Sequence, residues 1–143
     1  MIEYIVHQDQ LLSIILRRNC NDPGISFYTP EGFSQQLAHM RHPPGKSIPP
    51  HIHNPVAREV QYTQEVLLLK KGRLRVDFYD QQQNYLESRV LEAGDVILLA
   101  AGGHGFEALE EIEMIEVKQG PYAGEKDKTR FTGVNREQIE IRG

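Results

Sequence analysis

Four side chains of types that bind metals or move protons stand out by their spacing. His51 and His53 lie in "PPGKSIPPHIHNPVAREVQYTQEVLLLKKG", Glu65 follows in the same stretch, and His104 sits in "AAGGHGF". On a strand, residues two apart point the same way, so His51 and His53 can present two imidazoles to one point. Glu65 opens the next apolar run, where a carboxylate on an adjacent antiparallel strand would add an oxygen ligand. His104 is the only downstream histidine, and its glycine neighbours let the backbone bend closely around a site. Three imidazoles and one carboxylate suit Fe(II), Mn(II), Ni(II), Co(II) or Zn(II). Such a set leaves open positions on a metal that prefers six ligands, where a substrate oxygen can be polarised. His7, His39 and His42 lack companions at ligand spacing and read as surface or hydrogen-bonded histidines. His42, Tyr62 and Tyr122 are titratable candidates for a general base. Arg41, Arg58 and Lys118 are the candidates for pairing with an anionic ligand.

The elements that must carry these residues read as strands. Apolar residues come in short runs separated by turn chemistry. In "GRLRVDFYDQQQNYLESRVL", Leu74, Val76 and Phe78 alternate with Arg73, Arg75, Asp77 and Tyr79, which gives one buried and one wetter face. "DQQQN" then reads as a hairpin connection, Tyr85 to Leu91 as the return strand, and "EAGD" as a turn into "VILLA". Further strands are expected over Glu3 to Val6, Leu12 to Leu16, Ile25 to Tyr28, Phe33 to Met40, Val60 to Lys70 and Ile112 to Lys118, with Gly and Pro mostly between them. The polar tail from Glu125 to Gly143 contains one more alternating segment, "QIEIR", expected as an edge strand or a subunit contact. The fold class is all-β, a sandwich or barrel, and residues 1–143 form one domain.

Composition excludes several functions. A formal charge of -4 and a pI near 5.9, with charges scattered along the chain, give no basic surface for nucleic acid. The lone Cys20 allows no intrachain disulfide, sits in the loop-like "RRNCNDPG" and reads as an incidental thiol of a reducing compartment. The N-terminus has no basic leader and nothing near the roughly 20 apolar residues needed to span a bilayer. A cytoplasmic protein that binds neither nucleic acid nor membrane is expected. The N-terminal segment to Leu16 and the C-terminal tail exceed what one compact barrel needs, so a homodimer is expected to use them.

The stretch from Gly45 resembles the first motif of the cupin family. Gly45, "KSIPP", His51-Ile-His53, then Glu65, "VLLLKK" and Gly72 match it, with a gap, "NPVAREVQYTQ", longer than usual. Glu59 is a second acid inside that gap, but only Glu65 is followed by six residues and a glycine. Gly94, "DVILL" and "AAGGHGFEA" resemble the second motif, with Ala100 in place of its proline, the Gly102 to His104 spacing one residue short, and Ala108 in place of its asparagine. The resemblance covers roughly residues 33–119. It implies a double-stranded β-helix, or jelly roll, with His51, His53, Glu65 and His104 as ligands of a divalent transition metal inside the barrel. It also implies a metal-dependent enzyme acting on a small polar molecule, with a carbohydrate derivative as one candidate and isomerase, epimerase or dioxygenase chemistry. The alternative from another class is a noncatalytic module that binds a metal or a small ligand.

Overall fold

The computed structural model describes all 143 residues. It contains ten strands and two short 3₁₀ turns, Gly124–Asp127 and Arg136–Gln138. The strands are β1 (Ile2–His7), β2 (Gln10–Leu16), β3 (Gly24–Phe27), β4 (Ala38–Arg41) and β5 (Glu65–Lys71), followed by β6 (Arg73–Tyr79), β7 (Tyr85–Glu92), β8 (Val96–Leu99), β9 (Gly103–Ala108) and β10 (Glu113–Lys118). A five-stranded sheet has the order β1-β2-β8-β5-β10, a three-stranded sheet the order β7-β6-β9, and β3 and β4 form a separate ribbon. Every pairing between named strands is antiparallel. The two larger sheets face each other without hydrogen-bonding at their edges, so they form an open sandwich, one of the two all-β forms expected from the patterning, and not the closed barrel that the cupin resemblance implied. No helix is long and apolar enough to cross a membrane.

The main core lies between those sheets. Leu67, Leu69, Ile97 and Leu99 from the larger sheet meet Leu74, Val76, Phe78 and Leu91 from the smaller one, and each is buried. The alternation in β6 therefore buries the side anticipated from sequence. The other side of β6 is not simply wet. Asp77 and Tyr79 are buried too, because the C-terminal tail lies across that side. Val134 N–H donates to the Tyr79 hydroxyl at 3.1 Å, and the Phe131 ring meets Tyr79 edge-on at 5.0 Å. Glu140 N–H donates to the Tyr85 hydroxyl at 2.8 Å, and Ile141 forms a parallel bridge to Ser88 on β7. The alternating "QIEIR" segment is thus spent within its own chain.

The larger sheet is apolar on both faces. Register places Ile14, Leu16, Val66, Val96 and Leu98 on the outer face, where Tyr28, Phe33, Leu37 and Cys20 cover them. That cover comes from a loop and not from the long strand expected over Phe33 to Met40, which is regular only from Ala38. Gln36 explains the difference. Its side-chain N–H groups donate to the carbonyls of Pro30, Glu31 and Phe33, and its oxygen accepts from the Thr29 hydroxyl at 2.8 Å, so a side chain satisfies the backbone that a ladder would otherwise satisfy.

Two features fix how the sheets sit. Only Gly72 separates β5 from β6, and its φ of +84° makes the step from one sheet to the other. A Cβ there would overlap the Glu111 carbonyl oxygen. At the far end of β8, Arg17 pairs with Glu3 (2.5 Å) and Asp95 (3.0 Å) and donates to the Val90 carbonyl on β7 (2.7 Å). Arg89 on β7 also reaches Glu3 at 2.6 Å. Charged groups of one sheet thereby grip the other.

Candidate functional site between the two sheets

Glu65 and Leu99 are partners at one end of β5 and β8, the end opposite the Arg17 network. Glu65 alternates in step with Leu67 and Leu69, so it points between the sheets. His104 pairs with Phe78 across β6 and β9 and therefore points inward from the other sheet. The two side chains meet with His104 Nε2 3.9 Å from Glu65 Oε2. That separation is too long for a hydrogen bond, so neither group saturates the other.

Burial shifts both groups toward their uncharged forms. Burial raises the Glu65 carboxyl above its ordinary range, and the Glu116 carboxylate adds to this while Lys118 opposes it. Burial likewise lowers the His104 imidazole, and the Lys128 ammonium adds to that shift. The imidazole is thus held as the neutral base, the form that binds metals and accepts protons.

Around this pair opens a cleft of about 1090 Å³, at the upper limit of volumes typical of small-molecule sites. Glu65, His104, Glu116, Tyr62, Phe106 and Lys128 are among its lining residues, a mixture of acids, a base, aromatic rings and an ammonium. A smaller cleft of about 570 Å³ lies against Glu3, Arg17 and Asp95. Its charged groups already pair with one another, which leaves less for a ligand.

His51 and His53 stand elsewhere. Their rings touch each other edge-on at 5.2 Å, but both residues are exposed on an irregular segment, and His51 Nδ1 lies 3.0 Å from the Pro49 carbonyl. The strand expected to carry them is absent: five prolines between Pro43 and Pro55 remove the N–H donors a ladder needs. The strand expected from Val60 likewise begins only at Glu65. Glu65 and His104 have the donor chemistry of a divalent transition-metal site, yet no three His, Cys, Asp or Glu side chains are gathered closely enough to hold an ion. Two of the four anticipated ligands come together, and the other two form their own pair.

Of the other candidates, Tyr62 lines the cleft, while Tyr122 is 83% exposed and His42 does not line it. Arg41 donates to the Asn21 carbonyl, and Arg58 lies exposed on the same segment as His51. Lys118 sits opposite Glu65 on β10 and pairs with Glu116 at 3.8 Å. Glu116 was missed in the sequence because "IEMIEVKQ" carries apolar residues in both phases, so only the register of β10 on β5 reveals which phase faces the cleft. No protein-family model, curated protein or solved structure matches the chain.

Proposed function

We propose that the protein acts on a small polar molecule in the cleft between its sheets, with Glu65 and His104 at the centre, as a metal-dependent cupin-type enzyme. The observation that carries this reading is the meeting of Glu65 and His104 across the sandwich at 3.9 Å, each desolvated and neither satisfied by the other. The chain's winding supports the jelly-roll assignment, since every step from β7 to β10 crosses to the opposite sheet. The His-x-His motif supplies the remaining donors. His53 is twelve residues from Glu65, and a chain of that length spans up to about 40 Å, so reach does not prevent His51 and His53 from coming over the cleft.

A bound divalent metal would polarise a substrate oxygen and lower the cost of losing a neighbouring proton. The chain's own part is to hold and move that proton and to orient the substrate. Glu65, with its raised carboxyl, can donate or hold a proton. Lys128 and Glu116 offer opposite charges to the polar groups of the ligand, and Phe106 and Tyr62 give it apolar walls. Carbohydrate derivatives present such a mixture of hydroxyls and ring faces. The solitary cysteine suits the cytoplasm.

The exposed position of His51 and His53 favours a second reading, a module that binds its ligand without metal or turnover. Metal content and binding measured on the wild type, His53→Ala and His104→Gln separate the two. The metal-dependent reading expects a stoichiometric divalent metal in the wild type and loss in both variants, with the β circular dichroism retained. Unchanged metal binding in both variants rejects the ligand set, and tight small-molecule binding by metal-free protein selects the module.

A further inference from the structure

Residues 43 to 62 are twenty consecutive exposed residues outside any strand, anchored at both ends. This arm carries Ile48, Ile52, Val56 and Val60, four apolar side chains spaced four apart, which fall on one side wherever the chain is extended. All four are at least 46% exposed, and Ile52 reaches 89%. Scattered exposed apolar residues need no explanation, but a regular series on one segment does.

A matching surface stands bare on the same molecule. The outer face of the larger sheet is covered by Tyr28, Phe33 and Leu37 over its central strands only. On β10 the face continues as Ile115 and Val117, which are 47% and 54% exposed beside Leu68 and Val66. β10 is also an edge strand, with one row of backbone groups unpaired. Charge is complementary as well. The arm has Lys46 and Arg58 against the single Glu59, and on β10 the acid that does not line the cleft is Glu113. Neither Arg58 nor Glu113 has an ion-pair partner within its own chain.

We infer that the arm of one copy of this chain lies on the outer face of β10 of a second copy, and that the two arms are exchanged in a two-fold dimer. The arm's own root lies close to β10, since Glu65 pairs with Lys118 and the Thr63 hydroxyl bonds Asp127, yet the arm does not run along that strand. Exchange covers both bare surfaces at once and closes on itself, as a two-fold contact must. The twenty residues of the arm and the six of β10 make 26, within the roughly 20–30 residues a side of a stable interface. Of the chain ends expected to form the dimer, the tail is bound to β7, while β1 pairs with β2 alone and remains the other edge of the sheet. An exchanged arm carries His51 and His53 to the outer face of β10, away from Glu65 and His104, so this dimer goes with the second reading of the cleft, the module without metal.

The test is sedimentation at about 10 μM, a concentration at which a standard-size interface is formed, joined to directed cross-linking. The wild type should sediment at twice its 16.4 kDa mass. Val117→Lys should weaken association at least tenfold while leaving the circular dichroism unchanged, because Val117 is not part of the core. In a Cys20→Ser background, differently tagged Ile52→Cys and Val117→Cys chains should form a mixed disulfide with each other when mixed under copper phenanthroline oxidation. A monomeric wild type, a Val117→Lys dimer as tight as the wild type, or a dimer that gives no mixed disulfide would overturn the inference.

Discussion

Replacing Arg17 by Met removes the residue that fastens the two sheets at the end of β8 away from the cleft. Arg17 makes two bonds to Glu3 (2.5 and 3.1 Å), one to Asp95 (3.0 Å) and one to the Val90 carbonyl (2.7 Å). Asp95 is 1% exposed, so its charge would stay buried after the guanidinium is gone. Breaking a buried pair by deleting one partner costs about 3–5 kcal/mol. The lower end applies, because Asp95 keeps the Arg18 and Glu92 N–H groups at 2.7 and 2.8 Å, Glu3 keeps Arg89, and Met restores the packing of the arginine stem. About 3 kcal/mol in a chain of this size lowers the melting temperature by about 9 °C. Calorimetry and urea unfolding read this directly. A loss under about 1 kcal/mol, the size of an exposed pair, would refute the idea that this network holds the sandwich together. Metal or ligand binding at the other end of β8 should be unchanged in the folded variant.

Gly72→Ala should cost more than the ordinary cost of about 1 kcal/mol for a residue forced to positive φ, because its Cβ meets the Glu111 carbonyl as well. Thermal unfolding of this variant beside Gly45→Ala checks it, since Gly45 has a similar φ of +85° but open space around its Cβ, so equal losses would contradict the steric part. The side-chain hydrogen bond from Arg17 lowers the Glu3 carboxyl below 4.5, with Arg89 adding to it. The stability Glu3 contributes is therefore present above pH 4.5 and lost as pH falls through the lowered value. Urea midpoints should show Glu3→Gln weaker than the wild type at pH 7 and the gap closing below pH 4.5, whereas a pH-independent gap contradicts the assignment.

The strands were legible where burial leaves a simple pattern. β6 shows alternation because one side is the core, and β5 and β8 read as continuous apolar runs because the larger sheet is apolar on both faces. Legibility failed where side chains or prolines replace a ladder, as with Gln36 over residues 30–36 and the proline-rich arm around His51. It failed again where a surface is buried by a distant segment, since nothing near Tyr79 announces that Phe131 and Val134 will cover it. At the site, motif spacing singled out Glu65 and His104, which meet. Spacing along the chain could not show that His51 and His53 stand apart, because that depends on the path of the arm. Nor could it supply Glu116, whose place depends on strand register.

The most direct measurement is a titration of the protein with Co(II) or Mn(II), followed through the imidazole resonances of its six histidines. If the cleft is a metal-dependent site, the signal of His104 should broaden or shift at substoichiometric metal, those of His51 and His53 should respond with it, and Glu65→Gln should weaken all three responses. A His104 signal untouched by saturating metal, or a response confined to His51 and His53 and indifferent to Glu65→Gln, would contradict the reading of this cleft as the metal centre.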